Sequence, residues 1–321
     1  MHACLLVLCT ALAGNAEPRP AVIVVVGAEG APEFGRQFRQ WAARWQEAAA
    51  RGNADVTAIG LTSKPELTDL KLLKETLAAC DRASPAPLWL ILIGHGTFDG
   101  KTARFNLTGP DVAAEDLAEW LRPIERPLAV VNCASCSGPF INALSGPNRV
   151  VVSATKSGHE YSFARFGDYL SAAITDPRAD LDKDEQTSLL EAFLQAATEV
   201  AEFYSGTGRL ATEHALLDDN GDRLGTPADW FKGVRAVKSA KDGAAPDGDQ
   251  ANRWSLVAGP HEPQLNPVAR EQRDKFEQNL AHLRALKPTL PEDDYYRLLE
   301  PLLIDLARLY ESAEQEAAAK K

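Results

Sequence analysis

Cysteine and methionine are scarce in this sequence, with five of the first and one of the second. Cys4 and Cys9 fall within the first 16 residues, which leaves Cys80, Cys133 and Cys136. Three unevenly spaced thiols make no disulfide framework. The chain holds no second CxxC and no HxxxH, so Cys133 and Cys136 lack the partners of a zinc site. Basic residues are outnumbered, 34 Lys and Arg against 45 Asp and Glu, for a net charge of −11. Such a chain repels phosphate backbones, so no nucleic-acid partner is expected. Gly27 and Gly30 after the first apolar run are too few and too close for a dinucleotide loop. No organic cofactor is expected. Beyond the first residues no apolar run reaches the roughly 18 residues of a membrane span, so the mature chain is expected to have none.

The first 16 residues, MHACLLVLCTALAGNA, carry an apolar run from Ala3 to Ala13 and small residues after it. This pattern predicts a signal peptide over 1–16, with Ala13 or Ala16 at the cleavage point and only His2 for a positive start. The protein is therefore expected to be exported, to the periplasm or the extracellular space. Leu8 precedes Cys9 where a lipid-attachment signal has a small residue, so lipidation is not expected.

Five short runs rich in Val, Ile and Leu follow, at 21–26, 56–61, 88–93, 128–131 and 150–153. They show no polar alternation, as strands buried on both faces do. Apolar residues at helical spacing lie between them: Phe34, Phe38, Trp41 and Trp45; Leu70, Leu73 and Leu77; Leu117, Trp120 and Leu121. Further helices are expected over 163–174 and 188–203. The alternation predicts an α/β, three-layer fold with a mostly parallel sheet. Its chemistry should gather at the carboxyl ends of the strands. We expect this domain over 20–235, a linker over 236–262 and a C-terminal α-helical hairpin over 263–321. Pro301 is expected to kink the second hairpin helix or move its start. The hairpin is expected to fold back onto the main domain, or else to serve as an association element.

Two strand ends carry reactive side chains. LWLILI is followed by Gly94-His95-Gly96, which exposes an imidazole suited to proton transfer. PLAVVN is followed by Cys133-Ala134-Ser135-Cys136-Ser137-Gly138. A thiol beside a histidine can ionise, and the thiolate is the nucleophile. The same stretch is also a CxxC at a strand-to-helix junction, which a thiol-disulfide protein uses.

A His-Gly after one buried strand and a Cys before Ser-Gly after the next resemble the caspase–hemoglobinase fold. The stretch SATKSGHEYSFARFGDYLSAAI extends the resemblance to legumain-like (C13-type) cysteine peptidases, through Glu160, Ser162, Phe163, Gly167, Asp168 and Tyr169. The resemblance spans about residues 20–206. It implies a peptide or protein substrate, His95 as base and an acyl-enzyme on Cys136 or Ser135. The legumain pattern puts Ser135 in the nucleophile position; the caspase pattern puts Cys136 there. It further implies oxyanion donors near Gly96 and Gly138. Residues 156–165, with Glu160, Ser162 and Asp168, would then line a substrate pocket for a basic or polar side chain. The competing expectation is a catalytically silent scaffold that binds a peptide or partner in the same cleft.

Acidic residues form a second signal. Asp180, Asp182, Asp184, Gln186, Ser188 and Glu191 occupy positions 1, 3, 5, 7, 9 and 12 of an EF-hand-type loop, with Glu185 in place of the usual glycine. Calcium is the expected cofactor there, and a helix cap at Ser188 and Glu191 is the alternative. Asp218, Asn220 and Asp222 repeat the opening spacing, with Asp229 at the closing position. An Asn-Gly turn also accounts for that run.

Overall fold

A computed structural model describes residues 18–62, 67–238, 246–259 and 265–319. The expected signal peptide lies outside them. The central sheet contains β1 (Ala21–Val26), β2 (Asp55–Ile59), β3 (Leu88–Ile93), β7 (Leu128–Asn132) and β8 (Arg149–Ser153). β9 (Leu216–Asp218) and β10 (Thr226–Pro227) complete it in the order β10-β9-β8-β7-β3-β1-β2. The first five strands run parallel; β9 and β10 pair antiparallel at one edge.

Helices cover both faces, so the apolar runs need no polar side. One face buries Phe38, Trp41 and Trp45 of α1 (Pro32–Arg51), Leu170 of α5 (Phe166–Ala173) and Phe193 of α6 (Leu189–Gly206). The other buries Leu73 and Leu77 of α2 (Asp69–Ala79), Leu117 and Leu121 of α3 (Ala114–Leu121), and Phe140 and Ile141 of α4 (Gly138–Leu144). Pro32 starts α1, where its missing N–H breaks no helical bond. Ser188 and Glu191 start α6 as a reciprocal capping box.

β2 departs from the expectation of a strand buried on both faces. It is an edge strand, and Asp55 to Ala58 are exposed. An ion pair between Arg19 and Asp55 puts charge on that edge, a common guard against strand addition. Between β3 and α3, β4 (Gly96–Phe98), β5 (Ala103–Phe105) and β6 (Val112–Ala113) form a small antiparallel sheet.

Part of the expected linker is not a linker. Residues 246–259 form a strap that buries Ala251 and Leu256 in the core. Leu189 N–H donates to the Trp254 carbonyl, and Ser188 bridges Ser255. Local composition reads as a loop because these bonds join distant parts of the chain. After it, α7 (Pro267–Leu286) and α8 (Glu292–Ala319) pack on each other as the expected hairpin. α8 runs through Pro301 and begins nine residues ahead of it, at Glu292. Among the described residues no helix is long and apolar enough to cross a membrane.

Candidate active site

The chain passes from β1 to β2 on one side, then returns to place β3 on the other side of β1. A crevice opens at the carboxyl end of such a switch point. His95 leaves β3 at this place. Its Nε2 lies 3.3 Å from the Glu29 carbonyl, in the loop after β1. Phe34 and Phe38 meet the imidazole edge-on at 5.0 and 5.1 Å, and Phe163 lies 6.0 Å away. The ring is half-buried in an aromatic cage built by α1 and the segment before α5.

β7 pairs with β3 in register, Leu92 opposite Asn132, and Cys133 N–H donates to the Leu92 carbonyl. The two strand ends are therefore adjacent. Ser135 ties them together. Its Oγ donates to the Gly96 carbonyl at 3.2 Å and accepts the Gly96 N–H at 3.3 Å. A side chain at residue 96 would put Cβ 2.2 Å from the Ser135 carbonyl oxygen, so glycine is required for this approach. Among the described residues no hydrogen bond joins His95 to Ser135 or Cys136.

The two cysteines of the CxxC have separate environments, and both are free. Cys133 lies in the core, where a Cβ on Gly167 would come within 2.6 Å of its own, and burial pushes its thiol up to about 12. Cys136 is 1% exposed, and burial pushes it up to about 11. A redox CxxC works through a lowered thiol pKa, the opposite direction. Cys136 holds φ +56°, a left-handed conformation that is uncommon outside glycine. Its N–H donates to the Glu160 carbonyl at 3.0 Å, and its Sγ lies 3.8 Å from the same oxygen. Glu160, in the segment 156–161, thus lies against the thiol.

The residues expected to line a substrate pocket separate. The Glu160 carboxylate accepts Lys156 N–H at 2.9 Å and His214 N–H at 3.2 Å. It also meets His214 Nδ1 at 2.5 Å and Lys156 Nζ at 3.9 Å. Both of its oxygens are already engaged by these groups. Ser162 is exposed beside it. Asp168 belongs elsewhere: it pairs with Arg44 of α1 at 2.6 Å and locks α1 to α5. It does not face the thiol with Glu160. The oxyanion donors expected near the two glycines are also in use. Gly96 N–H bonds Ser135, and Gly138 N–H bonds Thr155 Oγ1 at 3.1 Å.

Of the acidic loop, Asp180, Asp182 and Asp184 bring one carboxylate oxygen each within 4.8 Å of the others. Partial removal from water, then neighbouring Asp182, Glu191 and Asp180, push Asp184 up to about 6. Lys183 and Glu185 take φ values of +66° and +70°, so Glu185 makes the left-handed turn without glycine. Gln186 donates its backbone N–H to Asp184. Glu191 is not free as a closing ligand. Its Oε1 accepts Leu181 and Asp182 N–H, and its Oε2 accepts Ser188 N–H and Oγ–H. It organises the loop from behind.

His214 and Glu213 escaped sequence reasoning. Glu213 is buried and accepts Arg165 and Phe166 N–H and the Tyr204 hydroxyl, which fixes the start of α5. Burial raises its pKa. No local spacing marks either residue, because the bonds to Arg165 and Glu160 that place them span some 50 residues.

No protein-family model matches the chain, and no curated protein matches it. Among solved structures it is similar to the Drosophila initiator caspase Dronc, with 15% identity and a TM-score of 0.42 over 65% of this chain and 82% of that one. Caspase-1 from Spodoptera frugiperda is similar over 63% of this chain and 87% of its own, with 10% identity and a TM-score of 0.40. The protein GSU0716 from Geobacter sulfurreducens is similar at 10% identity and a TM-score of 0.37, over 56% of this chain and 88% of that one.

Proposed function

We propose that this protein is a cysteine peptidase-like α/β protein of the caspase–hemoglobinase type, with Cys136 as nucleophile and His95 as base. The observation that carries the reading is the pairing of β3 with β7, which sets Gly94-His95-Gly96 and the Cys133–Gly138 turn at one sheet edge. Ser135 is the weaker nucleophile, because its hydroxyl is bonded to both backbone groups of Gly96. In the reaction the Cys136 proton passes to His95 and sulfur adds to the scissile carbonyl. The amine leaves with that proton, and water then hydrolyses the thioester. The Gly96 and Gly138 amides, released from Ser135 and Thr155, would hold the oxyanion. Legumain-like peptide cleavage belongs to the same proposal, although Glu160 and Asp168 are engaged elsewhere and form no acidic pocket for a basic side chain.

The second reading is a silent scaffold that binds a peptide in this cleft. The caged imidazole and the raised Cys136 pKa favour it. A thiol-reactive peptide ketone separates the two. A mass adduct at Cys136 that disappears in His95→Ala supports the peptidase. An intact protein with no adduct leaves the scaffold.

Two further parts of the reading stand on other residues. Export rests on residues 1–16, and an unprocessed N-terminus on a protein retained in the cytosol would refute it. Calcium rests on the convergence of Asp180, Asp182 and Asp184. A ligand bound only to the native state raises its melting temperature, so millimolar calcium against a chelator should shift the midpoint upward. An unchanged midpoint removes the ion.

A further inference from the structure

The segment 156–161 and Cys136 are joined twice through one residue. The Glu160 carbonyl takes the Cys136 N–H and lies over its thiol. The Glu160 carboxylate, with 11% of the side chain exposed, is anchored by Lys156 and by both the backbone and the ring of His214. His214 precedes β9, so its part of the anchor belongs to the antiparallel edge of the sheet, whereas Lys156 belongs to the covering segment itself. Around this anchor the covering segment is solvent-facing: Lys156 and His159 are exposed, and Tyr161 is 59% exposed. Gly138, two residues after the thiol, is approached closely by the same segment; a Cβ there would lie 2.4 Å from Ser157 N. The cover therefore presses on the whole turn.

We infer that residues 156–161 form an autoinhibitory cap over Cys136, and that the contact between Glu160 and His214 is its latch. This rests on the reading of Cys136 as the nucleophile and adds its regulation. A thiol on a residue only 1% exposed cannot reach a carbonyl, so the site works only after the cap lifts. Lifting it breaks the bonds of Glu160, the Thr155 hydroxyl's bond to the Ser157 carbonyl, and the packing of Gly158 and His159 on Phe98. A peptide that bonds the Lys156 and His214 amides, or carries an anion to the His214 ring, would compete for the latch and open the site as it binds. Release also frees Cys136 to leave its left-handed conformation, since the Glu160 carbonyl no longer holds its N–H.

The test is the alkylation rate of each cysteine in the full chain, followed with iodoacetamide and peptide mass mapping. The variants are Glu160→Ala and His214→Ala, each compared with the parent. In the parent, Cys136 should react more slowly than the partly exposed Cys80. In both variants the Cys136 rate should rise at least tenfold, with Cys133 unmodified as an internal report on the intact core. An unchanged Cys136 rate in variants that keep Cys133 protected overturns the latch. So does a parent Cys136 that reacts as fast as Cys80, or a joint rise at Cys133 and Cys136. The peptide ketone is then applied to the opened variants. Iodoacetamide labelling of Cys136 without ketone labelling keeps the latch and refutes the peptidase, so the two ideas fail separately.

Discussion

Asp247→Asn should make the protein less sensitive to alkali, because Asp247 is a buried acid whose protonated form the fold favours. Asp247 and Asp219 clasp the strap of residues 246–259 reciprocally. Asp247 accepts the Asp219 and Asn220 N–H groups and the Thr226 hydroxyl. Asp219 accepts the Gly248, Gln250 and Ala251 N–H groups. Both side chains are buried, with Asp218 beside them, and among the described residues neither has a Lys or Arg ion pair. Burial first, then the Asp219 and Asp218 charges, push Asp247 from 3.8 up to about 7. The folded state therefore binds a proton that the unfolded chain has released. Stability from this group is full below the unfolded value and is lost as pH rises through the folded value. The whole difference corresponds to roughly 4 kcal/mol, of which about 2–3 kcal/mol falls between pH 5 and pH 8. Asparagine is neutral at every pH; its oxygen accepts the two N–H groups, and its nitrogen donates to the Thr226 oxygen, reversing the bond that Asp247 accepts. Urea unfolding of both proteins at pH 5 and pH 8 measures the effect. The stability of the variant relative to the parent should rise by about 2–3 kcal/mol from the lower pH to the higher. A gap that stays constant or shrinks would show that the clasp holds an ionised carboxylate, and the reasoning would fail.

Two other substitutions test the packing around the site. Gly167→Ala sets a new Cβ 2.6 Å from the Cβ of Cys133 and 2.8 Å from the Trp41 ring, so a loss of about 1–3 kcal/mol is expected in thermal or urea unfolding. Adding Cys133→Ala should not restore it, because alanine keeps the clashing atom; full rescue would place the strain elsewhere. Glu213→Ala leaves the Arg165 and Phe166 amides without their acceptor at the start of α5. Two orphaned buried donors cost roughly 2–5 kcal/mol, and a loss under 1 kcal/mol in the same assay would mean that water replaces the carboxylate.

Much of the scaffold was legible because it follows from local patterning. Runs such as LWLILI and PLAVVN have no polar side, which suits only a strand covered on both faces, and each became a central strand. Phe38, Trp41 and Trp45 recur at helical spacing, and they form the buried stripe of α1. Val56 misled because its run is as apolar as the others; edge or centre is a property of strand order, which local composition does not encode. The strap over 246–259 misled for a related reason. Its Gly, Asp and Gln composition suits solvent, yet its backbone is bonded by carboxylates far along the chain.

By itself the sequence determined an α/β order of elements, a histidine and two thiols each just after a buried strand, and an acidic loop at the head of a helix. Periodicity and chain order suffice for those, since each depends on residues within a turn or a strand of one another. Tertiary structure alone decided that the His95 ring faces Glu29 and phenylalanines, that Ser135 is tied to Gly96, and that Glu160 lies over Cys136. It also decided that Asp168 serves Arg44 and that Glu191 serves backbone amides. Which partner a charged or polar side chain finds depends on what packing brings within hydrogen-bond distance, and that is set by the whole sheet and its helices at once.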